Sequence, residues 1–251
     1  MLELRQLTIG YETPLIKEGN AELHEGELIA LVGRNGSGKS TLLRHLAGRL
    51  NPSKGEVLVQ GRSLATLSLS ERAKLISVVT PYRRDLPHLT AFEVVALGRA
   101  PYTNYFGRLR TSDESAVVKA LSDTGMSHYA DRMIGKMSDG EQQRVMIAKA
   151  LAQDTPIILM DEPTAFLDLS NRYELALLLK RLSVLEQKLI LFSTHDLDVA
   201  FQLCHHIMLI RSPQLITMSA DNMRHSGYIE ELFSSTNVHF DAVSGQVKLE
   251  L

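Results

Sequence analysis

The segment GRNGSGKS, Gly33 to Ser40, constrains the fold of this chain more than any other stretch. It stands between an apolar run at 28–32 that reads as a buried strand and a stretch at 40–50 where Leu42, Leu43, Leu46 and Leu50 recur at helical spacing. The order strand, glycine loop, helix is the context in which G-x-x-x-x-G-K-[ST] binds phosphate. With no side chains at Gly33, Gly36 and Gly38, backbone N–H groups can turn inward around phosphate oxygens, helped by the helix N-terminus. Lys39 can then reach the β- and γ-phosphates of a nucleotide, and the Ser40 hydroxyl can hold Mg²⁺. Arg34, Asn35, Ser37 and Thr41 complete the candidate ATP-binding loop.

Further along, ILMDEP sets Asp161 at the end of a second apolar run of strand length, with Glu162 beside it. A carboxylate at Asp161 can orient the shell of a magnesium ion, and one at Glu162 can polarise an attacking water. Taken alone the hexapeptide equally describes an acidic turn that ends a strand. Its order after the glycine loop is what argues for chemistry.

Other segments define the surroundings. Strand-type patterns occur at 2–9, 15–23 and 56–60, and apolar runs at 157–160, 189–193 and 207–210 alternate with helical patterns at 170–186 and 196–203. This alternation implies an α/β core with a parallel sheet and helices on both faces, preceded by an N-terminal antiparallel β subdomain. From 86 to 153 the pattern is almost all helix, with S/T-x-x-E capping boxes expected at Thr90 with Glu93 and Thr111 with Glu114, so a helical lobe is inserted into the core. We divide the chain into a catalytic core with its β subdomain (1–85 and 154–211), the lobe (86–153) and a C-terminal tail of short strands and turns (212–251), with VHFDAV and QVKLEL as its strand candidates.

Composition excludes several classes. A length of 251 residues at 44% hydrophobic content can bury a full core, and a net charge of −2 with interspersed signs gives no basic face for duplex DNA. Nucleic acid is therefore not an expected partner. The single cysteine, Cys204, rules out an intramolecular disulfide, suits a reducing compartment and reads as a core residue. The N-terminus lacks the layout of a signal peptide, and no run approaches the roughly 20 apolar residues of a membrane span. A soluble subunit is expected, with any membrane role supplied by a partner.

Between the loop and the acidic strand end lies the octet MSDGEQQR, Met137 to Arg144. Ser138 and Glu141 form a capping box ahead of an apolar helical stretch, which accounts for two residues but not for Gly140 or the Gln142, Gln143, Arg144 run.

In order and context these three motifs resemble the nucleotide-binding subunits of ATP-binding cassette (ABC) transporters, over roughly residues 2–211. The resemblance implies an ATPase acting with ATP and Mg²⁺. It implies a head-to-tail homodimer in which Ser138 and Gly140 of one copy complete the site whose Lys39 belongs to the other. It makes Tyr11 the aromatic that stacks on adenine, Asp168 the inter-subunit aspartate and His195 the histidine that bonds the γ-phosphate, with Lys39, Glu162 and His195 catalytic and Ser40 and Asp161 holding the metal.

The chain departs from that family pattern at three positions. Pro81 stands where a magnesium-contacting glutamine is usual, leaving a water or Thr80 to substitute. Asp139 replaces the first glycine of the octet and would repel a nearby γ-phosphate unless it points away. Ala165 stands where serine is common.

Within the lobe, TAFEVVALGRAPYTNYFGRL is similar to importers of iron chelates, haem and cobalamin. The resemblance thus implies a peripheral subunit on the cytoplasmic face of the plasma membrane, serving a separate permease and, indirectly, a substrate-binding protein. Three rival readings stay open: a soluble ABC ATPase outside transport, a regulatory module that holds ATP without turnover, and the ATPase of an exporter.

Overall fold

The structure is a computed structural model that describes residues 1–251 apart from 11, 81–87, 105–106, 166, 234–237, 243–244 and 250–251. Tyr11 and Pro81 lie outside the described residues. The first half of the chain contains β1 (Leu2–Gly10), β2 (Pro14–Leu23), β3 (Leu28–Gly33), α1 (Lys39–Leu46), β4 (Lys54–Val59), β5 (Arg62–Ser63), α2 (Leu69–Leu75), β6 (Ile76–Val79), α3 (Ala91–Ala96) and α4 (Thr111–Asp123). The second half contains α5 (Asp139–Ala152), β7 (Ile157–Met160), α6 (Leu169–Leu185), β8 (Leu189–Ser193), α7 (Leu197–Leu203), β9 (His206–Arg211), β10 (Gln214–Ser219), α8 (Ala220–His225), β11 (Val238–Asp241) and β12 (Gln246–Leu249).

A six-stranded sheet in the order β10-β9-β3-β8-β7-β6 forms the centre, and all its pairings are parallel except that of β10 with β9. Its inner strands β3, β7 and β8 read as near-continuous apolar runs because both faces are covered. On one face Leu28, Ala30 and Val32 join Ile158, Met160, Ile190 and Phe192 in a core that continues through α6 and α7 into the helices α3, α4 and α5. On the other face Ile29, Leu31, Ile157, Leu159, Leu189 and Leu191 pack with α1 and with the antiparallel sheet β2-β1-β4-β5. Period-two alternation along each strand sends successive side chains to opposite faces and so builds two cores from one sheet.

The lobe is tied to itself by Arg99, whose Nε donates to Asp113 Oδ1 (2.9 Å) and whose Nη1 donates to Ala152 O (2.7 Å), with the guanidinium 4.0 Å from the Tyr102 ring centroid. The Arg110 backbone N–H and the Arg99 guanidinium hold the Asp113 carboxyl below the usual carboxylate range against the opposing effect of burial. This corrects one sequence expectation. Thr111 is the first residue of α4, not its cap, and Asp113 rather than Glu114 takes the preceding backbone N–H, that of Arg110 at 3.0 Å. The aspartate is committed there because it also receives Arg99. The Thr90–Glu93 box forms as expected, with Thr90 N donating to Glu93 Oε2 at 2.8 Å.

Gly98 lies so close to α5 that an added Cβ would meet Lys149 O at 2.2 Å and Gln153 N at 3.3 Å. Because backbone rather than a flexible side chain is in the way, Gly98→Ala is expected to destabilise the protein by about 1–3 kcal/mol through overpacking. Equilibrium urea unfolding checks this, and an unchanged midpoint would mean that α3 and α5 can slide apart.

Candidate active site

The glycine loop leaves β3 at Gly33 and enters α1 at Lys39. Gly36 (φ +78°) and Gly38 (φ +101°) adopt backbone conformations that L side chains rarely take, and a Cβ on Gly38 would come within 2.9 Å of Leu15 Cδ1. Lys39 is only 7% exposed, and its Nζ donates to Gly33 O at 2.9 Å and Arg34 O at 3.4 Å. Burial pushes the Lys39 amine below its ordinary value, opposed by the negative charges of Glu162 and Asp161. Arg34, Asn35, Gly36 and Ser40 are exposed, so the loop presents an open rim above a buried lysine.

Asp161 and Glu162 follow β7 directly, and His195 follows β8, the adjacent parallel strand in register at Met160 with Phe192. His195 Nε2 lies 2.8 Å from Glu162 Oε1. An ionised carboxylate only accepts, so that ring nitrogen carries the hydrogen. Glu162 takes a left-handed φ of +46°, a strained value of the kind found at functional turns. Ser193, at the end of β8, bridges both acidic residues: its Oγ donates to Asp161 Oδ1 (2.7 Å) and accepts from Glu162 N (2.8 Å). Arg172, on α6, donates from Nε to Leu167 O (2.7 Å) and lies 3.8 Å from Asp196, next to His195. Neither Ser193 nor Arg172 stood out in the sequence. A serine closing an apolar strand just before Thr-His-Asp is the one local signal that could have found Ser193.

The octet residues form a separate group. Ser138 caps α5, with Ser138 N donating to Glu141 Oε2 (2.8 Å) and Glu141 N donating to Ser138 Oγ (3.3 Å). Gly140 faces Leu167 and Asn171, the nearest atoms standing 3.7–3.9 Å from a Cβ placed there. Asp168 caps α6 by accepting from Asn171 N (2.8 Å) and Asn171 Nδ2 (3.0 Å). Gly140 and Asp168 therefore both adjoin Asn171, and Ser138 caps the same helix start that carries Gly140, while Lys39, Asp161, Glu162 and His195 follow the ends of β3, β7 and β8. Asp139 is exposed in the first turn of α5, where a carboxylate suits the helix dipole.

For Mg²⁺ the donor set fits. Ser40 and Asp161 are hard oxygen ligands, and Asp161 Oδ2 takes no hydrogen bond among the described residues. Magnesium typically uses one or two protein oxygens plus substrate phosphates. Accordingly, no group of three or more His, Cys, Asp or Glu that could cage a metal is present among the described residues.

A glycine loop between a parallel strand and a helix, in the same sheet as a parallel strand that leads into Asp-Glu, makes this an α/β P-loop ATPase. The ABC transporter family pattern matches residues 16–165. An ABC transporter ATP-binding protein of Methanocaldococcus jannaschii is 35% identical over 252 residues, covering 100% of this chain and 87% of that one. The petrobactin import ATP-binding protein of Bacillus anthracis is 38% identical over 215 residues, covering 85% and 79%. Among solved structures, an inward-facing ABC transporter assigned to the metal-chelate type matches with a TM-score of 0.82 at 27% identity, over 92% of this chain and 88% of that one. A dimeric ATP-binding cassette in a post-hydrolysis state with ADP and Pi matches with a TM-score of 0.74 at 29% identity, over 88% and 99%. The chain belongs to the ATP-binding proteins of the ABC transporter family.

Proposed function

We propose that this chain is the ATPase subunit of an importer that energises uptake of an iron chelate through a separate permease. What carries the reading is the convergence of Lys39, Asp161, Glu162 and His195 at the ends of three neighbouring strands, beside a glycine loop whose Arg34, Asn35, Gly36 and Ser40 are exposed. The relative named for petrobactin import and the metal-chelate type of the structural neighbour support the cargo class. No helix among the described residues is long and apolar enough to cross a membrane. In this reading the permease is a separate chain at whose cytoplasmic face the subunit sits.

In the chemistry we assign, Lys39 exchanges the carbonyl oxygens of Gly33 and Arg34 for phosphate oxygens, stabilising the charge that develops on the transferring group. Glu162 orients and deprotonates the attacking water, and His195 donates from Nε2 toward the γ-phosphate once nucleotide draws it from Glu162. Ser40 and Asp161 would hold Mg²⁺, which would supply positive charge to neutralise that of the phosphates.

Ser138, Gly140 and Asp168 cluster at the starts of α5 and α6, and we assign them to the site of a second copy in a head-to-tail dimer. The dimeric cassette bound to ADP and Pi supports that arrangement. ATP would close the pair and hydrolysis would reopen it, moving the permease between two states.

Reconstituting the subunit with its permease and assaying ATP-dependent uptake of labelled ferric siderophore, haem and cobalamin tests the reading. Uptake of the siderophore alone supports it. Uptake of haem or cobalamin instead would move the cargo class, and ATP consumption with outward movement would make the complex an exporter. No turnover with the permease present would reduce the chain to a nucleotide-holding module.

A further inference from the structure

We propose that Ser193 is a positioning residue for ATP hydrolysis, its one buried hydroxyl joining the side chain of Asp161 to the backbone of Glu162. The inference rests on the ATPase reading above and adds to it a residue that touches neither nucleotide nor water.

The ladder between β7 and β8 runs in register to Met160 with Phe192. The ladder to β6 goes one bond further, Asp161 N donating to Val79 O (2.9 Å), and the chain then turns at Glu162, which adopts φ +46°. The turn removes the Glu162 N–H from any regular strand partner, and the Ser193 hydroxyl takes the place of a backbone carbonyl at 2.8 Å. A backbone N–H can only donate, so Ser193 Oγ must accept there, and its own hydrogen is directed to Asp161 Oδ1 at 2.7 Å.

The two bonds therefore fix each other's sense, as the members of a fully satisfied network do. Ser193 is 0% exposed, so bulk water has no access to the hydroxyl position. One bond limits rotation of the Asp161 carboxylate and keeps Oδ2 directed away from Ser193. The other holds the strained Glu162 turn from which Oε1 meets His195 Nε2. Misplacing a reacting group by about 1 Å can reduce rate by as much as 10²-fold. A hydroxyl that controls both carboxylates at once is placed to have an effect of that size.

Ser193→Thr and Ser193→Val add side chains of nearly equal size and differ in the hydroxyl. In the nucleotide-free protein, NMR-detected hydrogen exchange should find the Glu162 amide protected in wild type and Ser193→Thr but fast in Ser193→Val. Steady-state assays should give Ser193→Val a kcat about 10- to 100-fold lower, with KM for ATP changed less than about threefold, and Ser193→Thr should recover most of the loss. Fluorescent trinitrophenyl-ATP should bind the Val variant as it binds wild type without magnesium, with the magnesium-dependent gain reduced. If neither branched variant folds, Ser193→Ala takes the place of Val and is expected to behave as Val does.

Equal exchange and equal kcat in the variants with and without the hydroxyl would overturn the proposal. If wild type hydrolyses no ATP, the ATPase reading falls by itself, while the exchange rate of the Glu162 amide still decides whether Ser193 holds that turn.

Discussion

Glu162→Gln is expected to lower ATP turnover by about 10²- to 10⁴-fold, the range for removing a positioned general base, while leaving ATP binding intact. The substitution is nearly isosteric, and the backbone bond from Glu162 N to Ser193 Oγ does not involve the side chain. The Gln amide oxygen can still accept from His195 Nε2 at the position Oε1 holds now. What is lost is the ability to take a proton from water. Removing a negative charge near Lys39 and the incoming γ-phosphate also lowers repulsion, so the variant should hold ATP at least as tightly as wild type. Phosphate-release kinetics and equilibrium nucleotide binding on the same preparation separate the two effects. Retention of more than about a tenth of wild-type turnover would remove Glu162 from the role of general base.

The parallel strands were legible because burial on both faces leaves almost only apolar positions, Ser193 being the exception: the runs at 157–160 and 189–193 coincide with β7 and β8. Shorter elements were not. The sequence reading assigned no strand to β6, whose four residues Ile76–Val79 run straight into the 81–87 segment, and no helix to α2 or α8. Six or seven residues are too few for a helical period to declare itself. In α8 the helix rests on a Ser219 cap and the burial of Ala220 and Met223. The helix after the glycine loop ends at Leu46 rather than 50, because Gly48 at φ +66° turns the chain out of the helix.

At the site, residues whose chemistry is carried by a motif were visible from spacing alone, while those that act through contacts were not. Ser138 and Asp168 illustrate the overlap of the two. Each caps a helix in this chain and each belongs to the cluster we assign to the site of a second copy, so a purely local capping rule finds the residue without finding its larger role. Ser193 and Arg172 depend on strand register and on the approach of α6, which no local pattern encodes. Cys204 is read correctly as core: it is buried, and burial pushes its thiol up to about 12.

Lys39→Met is expected to make the nucleotide-free protein more stable and the nucleotide-bound protein much less so. In the free protein Lys39 is buried, 7% exposed as a residue, and the described hydrogen bonds of its ammonium go to neutral carbonyl groups of Gly33 and Arg34. Burial accordingly depresses its pKa, with Glu162 and Asp161 only partly compensating. A folded-state pKa below the unfolded one means that the folded protein releases this proton first. The destabilising effect is therefore full below the folded value and fades as pH rises from it toward the ordinary 10.5. Thermal midpoints should rank Met above wild type at pH 7, with the difference shrinking as pH rises toward that value. Adding Mg·ATP should reverse the order. Charge-assisted bonds to phosphate contribute about 1.5–3 kcal/mol each, so losing two lowers affinity by about 10²-fold or more. At ATP concentrations near 100 times the wild-type Kd, wild type gains about 2.7 kcal/mol and the variant only a small part of that. A Met variant that is destabilised without nucleotide, or that is stabilised by Mg·ATP as wild type is, would show that Lys39 serves the loop's own structure rather than the phosphates.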